Sequence, residues 1–233
     1  MSSSGAAGAR TTDAPWWPAA GGVALVCAAL FVALVACTAA MHGVPFGVDR
    51  ALHGWVLERR RPWMVHLAVG VTVTGSGVPA YALAALAGAS AFGPGRWRGA
   101  LLGMLALVSA QLPRILVAGL VARPRPPARD WAWSASGYAM PSGHSATSMV
   151  VAVLLTAAVR RQVRGFWRPV LLAVPLVWAV AVGLSRVCLG MHWPADVLAG
   201  WLLAAVWAGL AGVLVLCRRR EAGAAQSSEG DRT

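Results

Sequence analysis

The chain has 233 residues, 58% of them hydrophobic and 12% charged, with a mean hydropathy of +0.64. Soluble domains carry roughly 45–50% apolar and about 25% charged residues, so these values exclude disorder over most of the length, argue against a soluble enzyme and imply a bilayer as solvent. The net charge of +12 comes from arginine alone, because lysine is absent; arginines at membrane ends suit anionic lipids, and no nucleic-acid partner is needed to explain them.

Residues 1–20 are small, polar and proline-containing, and read as a disordered cytosolic tail ending near Trp16 and Trp17. Six apolar segments follow: Gly21–Met41, Val78–Phe92, Gly99–Ala122, Ser145–Val159, Pro169–Val187 and Pro194–Cys217. A helix needs about 20 residues to cross the hydrocarbon core. The second and fourth segments are short, and apolar residues before Val78 can lengthen the second. The expected fold class is all-α: an integral membrane bundle of six transmembrane helices over residues 21–217, with a basic then polar cytosolic tail over residues 218–233. Between the first two segments, Val48–Arg61 mixes Leu52, Trp55, Val56 and Leu57 with Asp49, Arg50, Glu58 and Arg59. That mixture predicts a helix lying on the membrane interface.

Cys27 and Cys37 share one apolar run, about 15 Å apart on a helix at 1.5 Å per residue, too far for a disulfide. No CxxC pair or cluster of His and acids has metal-ligand spacing, so neither metal nor cofactor is expected. With the N-terminus in the cytosol, the basic groups Arg96–Arg98, Arg160–Arg168 and Arg218–Arg220 fall inside, whereas Arg59–Arg61 opposes that bias. Both termini are then cytosolic. The third and fifth segments end, and the fourth and sixth begin, at the outer face. Trp131, Trp133, Tyr138 and Trp193 are expected in an outer aromatic belt.

That face gathers the chemistry. His144 and His192 stand at the starts of the fourth and sixth segments, Arg186 ends the fifth, and Arg123 and Arg125 leave the third. Asp196 is the only acid inside any of the six segments. Each has a bland reading alone: Asp196 suits the third position of a helix, and Arg186 can snorkel to headgroups. Together they offer more. Guanidinium forks bind phosphate oxygens. Pro141-Ser142-Gly143-His144 places free backbone N–H groups and a hydroxyl at a helix start. One imidazole, its other nitrogen fixed by a carboxylate, can attack phosphorus, and a second can protonate the leaving oxygen. His42, His53 and His66 read as interfacial.

These residues resemble a known family. Ser185-Arg186, five residues, His192, three residues and Asp196 match the third signature of the type 2 phosphatidic acid phosphatase superfamily. Pro141–His144 matches its second, and Arg123-Pro124-Arg125-Pro126 looks like the end of its first. The resemblance covers residues 99–216. The family includes membrane lipid phosphatases and soluble vanadium haloperoxidases, and the hydropathy favours the former. The resemblance implies His192 as nucleophile through a phosphohistidine, Asp196 orienting it and His144 as acid then base. It also implies Arg125, Arg186, Ser142 and Gly143 as holders of the phosphoryl oxygens. One position departs: the family lysine seven residues before Arg125 is Ala118 here, with Arg114 one helical turn away as a displaced substitute.

The expected function is metal-independent hydrolysis of a lipid phosphate or diphosphate at the outer face. Phosphatidic acid, phosphatidylglycerol phosphate and undecaprenyl pyrophosphate remain open as substrates, and membrane lipids are the expected surroundings. The rivals are a phosphotransferase on the same scaffold, a transporter, and an intramembrane serine protease built on Ser142. The protease is disfavoured because Met140 occupies the first glycine position of the Gly-x-Ser-Gly pattern.

Overall fold

The computed structural model describes residues 17–91 and 95–230. Arg10, Arg232 and most of the expected N-terminal tail lie outside the described residues. The described chain forms α1 (Trp17–Ala40), α2 (Gly47–Arg59), α3 (Pro62–Thr74), α4 (Gly77–Ala91), α5 (Arg96–Val121), α6 (Gly143–Gln162), α7 (Arg168–Cys188) and α8 (Pro194–Gly230), with one 3-10 turn at Ala128–Asp130. No strand occurs among the described residues.

Five of these helices are long and apolar enough to cross a membrane, and α3 with α4, bent by 51°, passes the same test as a pair. Taken as one span, that pair brings the crossings to six. The chain starts its helices where its chemistry permits: Pro62 opens α3 and Pro194 opens α8, because proline lacks the N–H that a first turn leaves unpaired. The expected fourth segment, Ser145–Val159, is the 20-residue α6 with Arg160 and Arg161 in its last turn. The second differs more: its extension is a separate helix that turns away at Gly75-Ser76. The sixth also differs, since α8 runs 37 residues, past its apolar span and through the basic stretch to Gly230. The helix expected over Val48–Arg61 is α2.

Large apolar side chains face outward, among them Leu25, Leu112, Leu120 and Val177, each more than half exposed. In water such a surface would aggregate; in lipid it is solvated. The interior is built instead from small residues. Ala80, Ala84 and Ala87 of α4 pack with Leu107 and Ala110 of α5, and with Val150, Val151 and Leu154 of α6. Without a hydrophobic drive between helices in lipid, close backbone approach and dispersion hold such interfaces together. At Gly103 the approach is closest: an added Cβ would meet the Ala84 carbonyl, and the Gly88 Cα at 3.1 Å.

Four helix ends lie together: α5 and α7 finish where α6 and α8 begin, with α2 beside them. Two aromatic expectations are corrected here. Trp193 is buried, its ring tilted against His53 at 5.0 Å and its Nε1 donating to Pro124 O at 3.1 Å. Trp131 is half-buried, donates to Pro126 O at 3.0 Å and packs on Ala68, Leu189 and Met191. Their indole N–H groups find carbonyls inside the loop, so neither belongs to a lipid-facing belt; Trp133 and Tyr138 are exposed.

Gly103→Val should therefore lower the thermal transition in detergent and the yield of folded protein. Gly70→Ala, where an added Cβ meets nothing within 4 Å, should be neutral or stabilising by up to about 1 kcal/mol. Equal behaviour of the two variants in size-exclusion and thermal-shift measurements would contradict this packing.

Candidate functional site

A cavity of about 520 Å³ opens where these helix ends meet. Its wall includes Gln111, Arg114, Ile115, Ala118 and Gly119 from α5, and Arg125 with Ser134–Tyr138 from the loop. Gly143 and His144 from α6, Arg186 from α7, and His192 complete it. Among the described residues, three guanidiniums and two imidazoles line it, and no carboxylate does.

The backbone sets these positions. Ser142 N–H donates to the Asp196 carbonyl at 2.9 Å, so the first turns of α6 and α8 lie side by side. Asp196 Oδ2 accepts the Trp193 N–H at 2.8 Å, capping the start of its own helix. Ser142 itself stands back from the cavity: it is fully buried, its hydroxyl accepts from Ser145 Oγ at 3.0 Å, and only Gly143 and His144 of the motif reach the wall.

His192 is 2% exposed. Its Nδ1 lies 3.4 Å from Asp196 Oδ2, longer than a well-formed hydrogen bond, with no closer partner. Its Nε2 is 2.8 Å from Arg125 Nη1. A guanidinium only donates, so Nε2 carries the lone pair and Nδ1 the proton, directed toward Asp196. Burial lowers the His192 pKa to about 4; Asp196 opposes that shift, and Arg125 and Arg186 add to it. The ring is neutral at ordinary pH, with an available lone pair at Nε2.

Arg125 is also a staple. Its remaining donors reach the carbonyls of Gly137 at 2.9 Å, Ser136 at 2.8 Å, Tyr138 at 3.2 Å and Met191 at 3.0 Å. Arg186 Nη1 donates to Thr72 Oγ1 at 3.0 Å and its Nη2 approaches the Met191 sulfur at 3.7 Å, while its buried Nε is unpartnered. Arg114 points into the cavity: its Nε donates to Gln111 Oε1 at 2.7 Å, and its guanidinium lies 3.6 Å from where a Cβ of Gly143 would stand. Gln111 is held in turn by Thr147 Oγ1 at 3.0 Å. Among the described residues, no three His, Cys, Asp or Glu side chains converge as metal ligands would.

Sequence reasoning thus brings His144, His192, Arg125, Arg186 and Gly143 to one wall, with Asp196 directly behind. It misses Asp49, Thr72 and Gln111, and it leaves Arg123 as a basic turn. In the structure Arg123 is fully buried between Asp49 and Asp196 and does not line the cavity. His53, read as interfacial, is buried and pairs with Asp130 at 3.1 Å.

The sequence profile described as the PAP2 superfamily matches residues 22–220. A crystal structure of a transmembrane PAP2-type phosphatidylglycerolphosphate phosphatase from Bacillus subtilis is similar, with a TM-score of 0.70 and 26% identity, covering 82% of this chain and 94% of that one. The undecaprenyl-diphosphatase of Sulfolobus acidocaldarius is 40% identical over 68 residues, 28% of each chain. Phosphatidylglycerophosphatase B of Escherichia coli K12 is 40% identical over 82 residues, 33% of this chain and 30% of that relative. The matched stretch therefore spans less than a third of either of these two relatives.

A depressed imidazole pKa has a definite sign. Between about 6.5 and about 4 the unfolded chain binds a proton that folded His192 refuses, so its contribution to stability is complete above that window and is lost as pH falls through it. In 15N-histidine spectra of the protein in micelles, with His192→Asn for assignment, His192 should stay neutral and Nδ1-protonated at pH 5. Its midpoint should fall near 4. A midpoint at the ordinary histidine value would show that burial does not govern this ring.

Proposed function

The chain belongs to the PAP2 superfamily, and on that premise we propose that this multi-pass membrane protein is a metal-independent phosphatase. It hydrolyses a lipid phosphate monoester or diphosphate through a phosphohistidine. The observation that carries the reading is the cavity lining: Arg114, Arg125 and Arg186 share its wall with His192 and, among the described residues, no carboxylate joins them. Such a cavity suits a phosphate dianion, and its fixed donors supply the charge stabilisation that phosphoryl transfer demands.

In this mechanism a phosphoryl oxygen takes the Arg125 Nη1 donor from His192 Nε2, freeing the nitrogen to attack phosphorus. The bond from phosphorus to the lipid oxygen breaks as His144 delivers a proton to that oxygen. The His192 ring becomes cationic, and Asp196, facing Nδ1, stabilises it. Water, losing a proton to His144, then attacks phosphorus. The P–N bond breaks, its electron pair returns to Nε2, and inorganic phosphate leaves. Arg114 sits where it can hold a phosphoryl oxygen over the α6 start, in place of the family lysine missing at Ala118. The substrate class is phosphatidic acid, phosphatidylglycerol phosphate or undecaprenyl pyrophosphate. The names of the relatives favour the last two.

Purified protein in detergent should release phosphate from these lipids with chelator in excess. His192→Ala should abolish both turnover and phosphoenzyme. Arg114→Ala should lower kcat/KM at least tenfold, about 1.4 kcal/mol of transition-state stabilisation. Full turnover by folded His192→Ala protein would remove the mechanism, and magnesium-dependent recovery after chelation would remove the metal-free reading.

We also propose that both termini are cytosolic and that the cavity opens on the outer face. The short basic connection between α6 and α7 supports this orientation. In a background lacking the native cysteines, Ala128→Cys should react with an impermeant thiol reagent from outside intact cells and Gly165→Cys should not; the opposite pattern would invert the chain.

A further inference from the structure

We infer that Asp49 and Arg123 are positioning residues that hold the Asp196 carboxylate with one oxygen aimed at His192 Nδ1. The inference rests on the phosphohistidine reading, because it concerns how the nucleophile is kept ready. Asp49, Arg123 and Asp196 are each 0% exposed. Arg123 Nη1 donates to Asp196 Oδ1 at 2.6 Å, and Nη2 donates to Asp49 Oδ2 at 2.5 Å. The two carboxylates thus sit on two different nitrogens of one planar fork.

The remaining lone pairs are assigned just as tightly. Asp49 Oδ1 accepts the Ala195 N–H at 2.9 Å, and its Oδ2 also accepts the Phe46 N–H at 3.2 Å. Asp196 Oδ2 accepts the Trp193 N–H at 2.8 Å and is the oxygen facing His192 Nδ1. Arg123 therefore occupies Oδ1 and leaves Oδ2 for the imidazole. Neither Asp49 nor Arg123 lines the cavity, so neither touches substrate.

The charges make Asp49 necessary. A lone Arg123 would cancel Asp196 at the moment the imidazole, bonded to phosphorus, becomes cationic. With Asp49 neutralising the guanidinium, the trio keeps one net negative charge, and it lies on the side of His192. Asp49 also contacts the α8 first turn through Ala195, so the same carboxylate fixes both the charge balance and the place of the segment that carries His192 and Asp196.

The test compares Asp49→Asn, Asp49→Glu, Arg123→Lys and the paired Asp49→Leu/Arg123→Met in full-length protein. Removing one partner of a buried pair strands a charge; removing both replaces that pair with apolar volume but also takes the Arg123 donor from Asp196 Oδ1, so the paired variant reports on the held carboxylate without a stranded guanidinium. Folding is scored by elution and thermal transition, and orthovanadate affinity, which needs no turnover, is measured beside the kinetics. In folded Asp49→Asn and in the paired variant, kcat should fall at least about thirtyfold with KM within about twofold, and orthovanadate should bind at least about tenfold more weakly. Asp49→Glu should recover part of both losses.

Wild-type kcat in a folded Asp49→Asn or paired variant would overturn the inference. So would failure of every variant to fold, which would make the trio a folding element alone. Absence of phosphate release by the wild type would strike the phosphatase reading; wild-type turnover with unaffected variants strikes only this inference.

Discussion

A fully buried guanidinium between two fully buried carboxylates is the constraint from which the active end of this molecule is built. Burying such groups is costly, and it is tolerated only when every charge is met with good geometry. Arg123 meets partners 74 residues earlier and 73 later in the chain. It therefore fastens α2, the exit from α5 and the start of α8 to one point. From there the order spreads: Asp196 O takes the Ser142 N–H and brings in α6, while Arg125 beside Arg123 laces Ser136–Tyr138 to His192. On the other side, His53 of α2 and Arg60 just after it reach Asp130 and hold the loop. A helix whose composition suits the membrane interface is also an anchor of the site.

This arrangement sorts the arginines into two kinds. Arg123 is matched by carboxylates and turns no charge toward the cavity. Arg114, Arg125 and Arg186 are bonded to neutral acceptors: an amide oxygen, backbone carbonyls, a hydroxyl, a sulfur and an imidazole nitrogen. Those bonds orient the guanidiniums without neutralising them. The same residue type thus builds the scaffold where acids are present and the proposed anion site where they are absent. Sequence counting, which sees a net charge of +12, cannot separate the two uses.

The helices were legible because a bilayer enforces apolar runs of a fixed length, and α1, α5, α6 and α7 lie within four residues of the expected bounds. His144, His192, Arg125 and Arg186 were legible because their spacing places them at ends of segments that must share a face. Asp49 was not, since one acid among the mixed residues of α2 looks the same whether it faces solvent or a guanidinium 74 residues away. Ser142 reads as a cavity hydroxyl beside Gly143, yet the Ser145 hydroxyl and the α8 start enclose it. Trp193 reads as a belt residue, yet the Pro124 carbonyl claims its indole. In each case the deciding partner is distant in sequence or set by a turn, and apolar periodicity carries no information about it.

The break between α3 and α4 was equally invisible, and the site depends on it. Had these 30 residues formed one straight helix, α3 would continue the line of α4, which packs against α5 and α6. Instead the chain bends by 51° at Gly75-Ser76 and lays α3 against α7. The approach is tight enough that a Cβ on Gly75 would overlap the Val182 side chain. It brings Thr72, three residues before the break, to Arg186 Nη1 at 3.0 Å. That hydroxyl is the neutral acceptor that aims Arg186 without cancelling it. A small-residue break in the membrane thus does for Arg186 what backbone carbonyls do for Arg125 and Gln111 does for Arg114. The proposed anion site is a set of charges held by uncharged partners, arranged around His192, whose facing carboxylate, Asp196, is kept behind it.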